Sequence, residues 1–422
     1  MNRRRRVSAV LVAFALTVAG CSAGAGEPPT PGVTAATITI GSHADLTGVS
    51  SPGLKEIPPA AKAYFDYVND HGGVYGRKII YDYRDDNYRP ANALTVVRRL
   101  VEQNKVFAIF NGAGTGPHQA VAGYLNAQKV PDLFPSTGWS GWNDPAKLPY
   151  TFAWALSYRA EAKILATYVE KTFPGKKIAY FYQGTASGKD FVAGLDTVIP
   201  ASQVVAREAA QPTYDGINAQ VRAIAQAKAD VIIGAIVPAY WALLRRAQEQ
   251  IGNTAQLVIN SNASDPTNLS RLMGPALMQG IITDVYLPQV TDTSNSWVAL
   301  AKRIHDRYLP NAPFGQNFLY GVANAYSFVE ALQRAGKNLT RQSLVTALEQ
   351  GGPVPGFGLV PLDYSRTSHA GYSGAQIGVI KGNTIALEGR PMTTDDGNGP
   401  VVPYTAPQPP APADGIPAPP DE

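Results

Sequence analysis

Residues 60–83, AAKAYFDYVNDHGGVYGRKIIYDY, change their hydrophobic period part-way along. Ala60, Ala61, Tyr64, Phe65 and Val68 recur at three- and four-residue spacing, the signature of one helix face. Gly72 and Gly73 end that helix, because glycine takes left-handed backbone without a steric cost, and Gly76 allows a second tight bend. The run Lys78-Ile79-Ile80-Tyr81-Asp82-Tyr83 then alternates as a strand does. Helix, glycine stop and strand recur outward from here. Thr37 to Gly41 reads as a first strand. Pro90 opens a helix carrying Leu94, Val97 and Val101, Val106 to Phe110 is a short buried strand, and Pro117 opens a helix through Ala120, Val121, Tyr124 and Leu125. Strands follow near 178–182, 231–236, 257–260 and 281–286, and helices near 160–171, 216–227, 239–250, 297–308 and 320–335. This alternation predicts an α/β protein with parallel sheets covered by helices on both faces. The span 37–402 is too long for one open sheet of this kind, so two lobes are expected.

The ends read differently from the middle. Arg3 to Arg6 are followed by the apolar run Val7 to Ala19, too short to span a bilayer, and by Val18-Ala19-Gly20-Cys21. That tetrapeptide resembles the lipobox of bacterial lipoproteins, which implies a signal peptide over 1–20, cleavage before Cys21 and lipid on its sulfur. Cys21 is the only cysteine of the 422 residues, so no disulfide is expected. Residues 21–36 are small, polar and proline-rich, a tether. Residues 403–422 hold eight prolines and the acids Asp414, Asp421 and Glu422. Such a composition cannot bury a core of its own and reads as a disordered tail. The four N-terminal arginines account for the net charge of +4, leaving 32 basic against 32 acidic residues. A balanced chain offers no basic stripe, so a nucleic-acid partner is not expected.

Several segments, in order, resemble the leucine/isoleucine/valine-binding-protein family. They are Thr39-Ile40-Gly41, Asp45-Leu46-Thr47-Gly48, Val68 to Ile79 with its Gly-Gly-Val-x-Gly-Arg-Lys-Ile core, Asp85-Asp86, Pro90, Ala93 to Val101 with Val106, and Ala122 to Pro131. Tyr364-Ser365 and His369 to Gly371 complete the set. That family comprises the type I periplasmic solute-binding components of ABC importers. The resemblance implies two doubly wound parallel sheets joined by a three-crossover hinge, near 153–155, 284–286 and 352–356. The first lobe would hold 37–153 plus 286–352, and the second 155–284 plus 356–395. It also implies a small-molecule ligand, ABC permease partners, a monomer held outside the membrane by the lipid on Cys21, and no cofactor.

Ligands of such sheets sit beyond the carboxyl ends of the strands, where helix N-termini present free N–H groups. Two first-lobe loops qualify: Asn111 to Gly116 before Pro117, and Pro135 to Trp139. In the family these loops take the ligand's carboxylate or its polar equivalent, which implicates Thr115, Ser136, Thr137 and Gly138, with Trp139 as an aromatic wall and Trp142 behind it. In the second lobe Ser187, Tyr240 and Asn262 follow strand ends, and Tyr286 and Phe318 are candidate apolar walls. Amino-acid-binding members place a carboxylate near 260–262, whereas Asn260-Ser261-Asn262 carries none. The ligand classes left open are amino acids, amides, urea-like molecules and small aromatic acids.

The residues give little support to catalysis. His43, His71, His118, His305 and His369 show no H-E-x-x-H spacing, there is no C-x-x-C, and no G-x-S-x-G elbow occurs. Neither a metal site nor a nucleophile is therefore expected. Asp82, Asp85 and Asp86 read as a solvated strand end. The other readings are a sensor that reports the ligand to a membrane receptor, a surface hydrolase, and a structural surface lipoprotein with an unused cleft.

Overall fold

The computed structural model describes residues 29–48, 50–211, 216–350 and 352–419, so the expected signal peptide and Cys21 lie outside the described residues. The first unit is β1 (Thr37–Ala44), α1 (Ser51–Leu54), α2 (Ile57–Asp70), β2 (Lys78–Asp85), α3 (Pro90–Glu102), β3 (Ile109–Phe110), α4 (Thr115–Ala127), β4 (Asp132–Leu133) and β5 (Thr151–Phe152). Its five strands are parallel, in the order β2-β1-β3-β4-β5. The 60–83 stretch folds as its period predicts. α2 buries Ala60, Ala61, Tyr64, Phe65 and Val68. Gly72, Gly73 and Gly76 take φ of +101°, +70° and +78°. The Asn69 side chain joins helix end to strand start, donating to the Ile79 carbonyl at 2.9 Å and accepting from its N–H at 2.7 Å.

The second sheet begins after α5 (Tyr158–Thr172). It is built by β6 (Ile178–Gln183), α6 (Ala186–Leu195), β7 (Val204–Ala210), α7 (Asn218–Ala227), β8 (Val231–Gly234), α8 (Pro238–Ile251), β9 (Gln256–Ile259), α9 (Pro266–Met273) and β10 (Ile282–Val285). The chain then returns to the first unit as α10 (Ser296–Tyr308), α11 (Gln316–Ala335) and α12 (Arg341–Glu349), with α10 and α11 packing on α2. It ends on the second sheet as β11 (Gly374–Lys381), β12 (Thr384–Thr393) and β13 (Val402–Pro403). That sheet runs β13-β12-β11-β10-β9-β8-β6-β7. β6 to β10 are parallel, while β11, β12 and β13 are antiparallel additions at one edge, so the second sheet is mixed. In both sheets the parallel strands follow the order 2-1-3-4-5. This order puts a crevice beyond the strand ends where the winding reverses.

Three stretches of chain connect the sheets, and aromatic rings pack them together. Trp154, on the first, lies 4.9 Å from Tyr372 of the third and 6.5 Å from Tyr286 of the second. Ala153 N–H donates to the His369 carbonyl at 3.0 Å, Tyr372 N–H to Trp154 at 2.9 Å, and Leu359 N–H to Tyr286 at 2.9 Å. Gly371 fits only as glycine, since a Cβ there would stand 2.4 Å from the Ala155 carbonyl oxygen.

Two expectations are corrected. Asp86 is not a solvated strand-end acid: it is wholly buried and bonds His43 Nδ1 at 2.6 Å. The proline-rich end is not a free tail over its described part, 403–419. The Tyr64 hydroxyl donates to Gly415 at 3.0 Å, Trp297 Nε1 to Pro409 at 2.8 Å, and Ala411 N–H to Ser296 Oγ at 2.9 Å. Ala411 and Ile416 pack on the core. Composition measures what a segment can bury by itself. This one has few donors to satisfy and lies on apolar surface that α2 and α10 supply.

Candidate functional site

A cleft of about 590 Å³ opens between the carboxyl ends of the parallel strands of the two sheets. Of the residues singled out from sequence, Thr115, Ser136, Thr137, Ser187, Asn262 and Tyr286 line it. The loop after β3 and the loop after β4 meet side by side: Ala113 bridges Ser136, and Ser136 N–H donates to Gly112 at 2.8 Å. This brings the Thr115 and Thr137 hydroxyls to 2.5 Å and sets Ser136 Oγ 3.2 Å from the Tyr320 hydroxyl. Thr115 is the first residue of α4, so the positive end of that helix points where these hydroxyls converge. The result is a donor-rich wall suited to a carboxylate or amide oxygen.

The other expected residues lie elsewhere. Gly138 packs under the loop, its carbonyl accepting Tyr158 N–H at 2.6 Å, and a Cβ there would stand 2.4 Å from the Leu156 oxygen. Trp139 turns away from the cleft, edge-on to Trp142 at 4.8 Å, where the pair closes a small core with Ala122 and Ala153. Tyr240 is buried in the core of the second lobe, its hydroxyl donating to Gln211 at 2.7 Å. Phe318 is likewise a core residue, packed on His305. For Gly138, Trp139 and Tyr240 the position after a strand end is shared with lining residues, and side-chain direction decides; Phe318 lies inside α11.

Sequence reasoning missed most of the tyrosines. Tyr88, Tyr158 and Tyr320 line the cleft with Tyr286. Tyr158 opens α5 behind its N-cap Ser157; its hydroxyl lies against those of Thr115 and Thr137 and accepts from Asn262 Nδ2 at 3.3 Å. It therefore links the two walls. Burial holds its phenol neutral, pushing the pKa above the ordinary tyrosine value. The only signal for it was the Ser-Tyr helix start.

Two glycines of the first loop serve packing. A Cβ on Gly112 would lie 2.4 Å from His118 Nδ1 and 2.7 Å from His43 Nε2. Those imidazoles sit beneath the loop in a buried chain: Asp86 to His43 at 2.6 Å, His43 to His118 at 2.9 Å, His118 to Asp132 at 3.0 Å. Gly114, at φ +84°, lies against the Tyr88 ring. On the opposite wall two acids sequence reasoning overlooked, Glu161 and Asp284, come together behind Ser261. Burial pushes both carboxyls above the usual range, Asp284 well above it. They lie more than a hundred residues apart, on α5 and β10, so no local pattern announces them.

Comparison with known proteins agrees with this architecture. The family model described as "Periplasmic binding protein" matches residues 37–384. The Leu/Ile/Val-binding protein homolog 3 of Brucella melitensis is 24% identical over 363 residues, 84% of this chain and 92% of that protein. The fatty acid ABC transporter substrate-binding protein from Thermomonospora curvata superposes with a TM-score of 0.77 at 23% identity, covering 89% of this chain and 98% of that one. A branched-chain amino acid ABC transporter protein from Thermus thermophilus, solved with bound valine, gives 0.76 at 20% identity, covering 85% and 97%. A match over most of the folded chain, on two doubly wound units with a cleft between them, makes this chain a member of the periplasmic binding protein family, of the leucine/isoleucine/valine-binding-protein-like type I kind.

Proposed function

We propose that this chain is an extracytoplasmic solute-binding lipoprotein that captures a small polar ligand in the interlobe cleft and delivers it to an ABC importer. The observation that carries this reading is the donor-rich wall of Thr115, Ser136 and Thr137 at the N-terminus of α4, facing a second wall across about 590 Å³. The first wall binds the ligand's carboxylate or amide oxygen. Asn262, Ser187 and Tyr286 close over it from the other side as the lobes rotate about the three connections. The ligand drives closure because it touches both walls only in the closed form, and it can shift the equilibrium only by that difference in affinity. It leaves unchanged, since the protein's work is capture and not turnover. Lipid on Cys21 keeps the carrier at the membrane; among the described residues no helix is long and apolar enough to cross one.

The test is a thermal shift of the full chain after unfolding and refolding to strip co-purified ligand. The panel holds branched-chain amino acids, amides, urea, small aromatic acids and medium-chain fatty acids. A ligand at about a hundred times its Kd adds roughly 2.7 kcal/mol and raises Tm by a few degrees. A shift with one class names the cargo. No shift with any class overturns the reading.

A further inference from the structure

Beneath the donor wall four buried side chains form one continuous line of hydrogen bonds. Asp86 Oδ2 lies 2.6 Å from His43 Nδ1, His43 Nε2 lies 2.9 Å from His118 Nδ1, and His118 Nε2 lies 3.0 Å from Asp132 Oδ2. All four residues are 0% exposed. The Asp86 carboxyl also accepts Tyr88 N–H at 2.7 Å, and Asp132 Oδ2 accepts the Thr151 hydroxyl at 2.9 Å. Asp132 Oδ1 has no donor among the described residues, and within them neither carboxyl pairs with a lysine or arginine. The other titratable groups near the line are Asp45 and Tyr88 at its Asp86 end. At its Asp132 end stands His369, whose Nδ1 bonds the Thr151 carbonyl at 2.9 Å and whose Nε2 lies 3.4 Å from Glu349.

Each hydrogen bond needs a proton, and the line has three. Two neutral imidazoles bring one proton each, so the line is complete only when it holds one more. Burial holds the His43 imidazole below its ordinary pKa against the opposing pull of Asp86, so His43 stays neutral. Its Nδ1–H goes to Asp86 and its Nε2 accepts from His118 Nδ1. The additional proton therefore lies in the His118–Asp132 bond. When it leaves for solvent, an imidazole lone pair and a carboxylate oxygen face each other 3.0 Å apart, away from water, which is costly. The donor wall rests on this line. A Cβ on Gly112 would stand 2.4 Å from His118 Nδ1, so the loop backbone lies directly on the imidazoles. Ala113 N–H donates to the His43 carbonyl at 3.0 Å, and the Gly112 carbonyl accepts Ser136 N–H at 2.8 Å. His118 follows Thr115 by one turn of α4, on the same face. We infer that the proton held between His118 and Asp132 positions the donor wall of the cleft, and that its loss in alkaline solution loosens the start of α4 and the two loops that carry Thr115, Ser136 and Thr137. His118 and Asp132 are positioning residues: neither lines the cleft, and both act through Gly112 and Thr115. The folded chain binds a proton that the unfolded chain gives up above the ordinary histidine pKa of about 6.5, so the wall is fully ordered in mild acid and loses order as pH rises. The inference rests on the cleft being the solute site only for what the wall serves; the proton and the order of the wall are read without a solute.

Two measurements on the full chain between pH 6 and pH 9 test it. Proton NMR of the 15N-histidine-labelled protein counts the exchange-protected, downfield protons of the line. Amide hydrogen exchange, corrected for the intrinsic effect of pH, reads the order of the wall. At pH 6 the third proton should be present. At pH 9 it should be gone, and the protection of the Gly112, Ala113 and Ser136 amides should have fallen at least about tenfold, while that of Ile232, buried in β8 of the second lobe, holds. The Ile232 control separates loosening of the wall from a general loss of stability. Asp132→Asn puts a permanent side-chain N–H against His118 Nε2, so in that variant the protection of the wall should stay level from pH 6 to pH 9. Only two protons in the line at pH 6 would overturn the inference. So would wall protection that does not change with pH in the wild type, and so would an Asp132→Asn protein that loses protection as the wild type does. The two wild-type measurements decide it even if the variant folds poorly. None of these outcomes touches the solute-carrier reading, which stands or falls on the thermal-shift panel.

Discussion

Asp284 costs the folded protein more when ionised than when neutral, because burial and the adjoining Glu161 carboxyl hold its pKa well above the ordinary value. The sign of the pH dependence follows. A carboxyl raised on folding contributes stability in acid, below its unfolded pKa of about 4, and loses it as pH rises toward the folded value, at up to about 1.4 kcal/mol per pH unit. Asp284→Asn removes that loss. The variant should match wild type near pH 4 and exceed it near pH 8 by roughly 1–3 kcal/mol in urea denaturation. A gap that stays constant with pH would show that Asp284 ionises normally. On the opposite wall, Ser136→Ala with Thr137→Ala should weaken ligand binding at least tenfold, about 1.4 kcal/mol, with Tm little changed. Unaltered affinity in titration would move the polar end of the ligand elsewhere. At this scale the sequence was readable where the cleft lining follows local chemistry: hydroxyls and a helix start after a short strand pointed to Thr115, Ser136 and Thr137, which line the cleft. It was unreadable where distant residues meet, as with the buried acids Glu161 and Asp284. Trp139 and Tyr240 sit beyond strand ends yet turn into cores, and nothing local separates them from Tyr286.

The elements whose period is strong were legible, and those made by context were not. α2, α3, α5, α8, α10 and α11 follow their apolar spacing, β2 its alternation, and β1, β6 and β8 their buried runs. β7 is a half-exposed edge strand without clean alternation, and β11 and β12 form an antiparallel hairpin across Gly382, φ +61°. Neither fits a rule that looks for strand, helix, strand. α5 shows how one position serves several levels. Ser157 caps it, its Oγ accepting Ala160 N–H at 3.1 Å, and its hydroxyl also donates to Asp396. Asp396 is half-buried, and that burial raises its carboxyl above the ordinary value despite the hydrogen bonds from Ser157 and Asn143. Ser157→Ala removes a cap worth about 1 kcal/mol and a donor to a half-buried acid worth about as much again. The expected loss is therefore about 2 kcal/mol in chemical denaturation. Because Tyr158 begins the helix that Ser157 caps, ligand affinity should fall too. A loss below about 0.5 kcal/mol would mean that water replaces both bonds.

Across the whole molecule the C-terminal segment does what neither lobe does alone. It leaves the second sheet at β13, paired with β12, and ends on α2 and α10 of the first unit. Between them the two N–H of Gln408 Nε2 are shared among the carbonyls of Gly356, Phe357 and Gly358, which lie at 3.2, 2.6 and 3.2 Å on the third connection. A rotation of the lobes that lengthens this path must break those bonds or peel the segment from Trp297 and Tyr64. Each bond contributes about 1 kcal/mol net, and the covered aromatic surface adds to it. The strap thus favours lobe positions in which it stays seated, which narrows the range of opening without touching the ligand. Removing residues 404–422 should lower Tm by several degrees, since Trp297 and Tyr64, 1% and 0% exposed, lose their cover. It should also raise the radius of gyration of the ligand-free protein in small-angle scattering, while the ligand-bound value stays close to that of the full chain. The apparent affinity should fall, because a wider open ensemble must be drawn back before closure. A truncated protein with lower Tm but unchanged scattering and affinity would reduce the strap to surface packing, and leave the three connections as the sole determinant of how far the cleft opens.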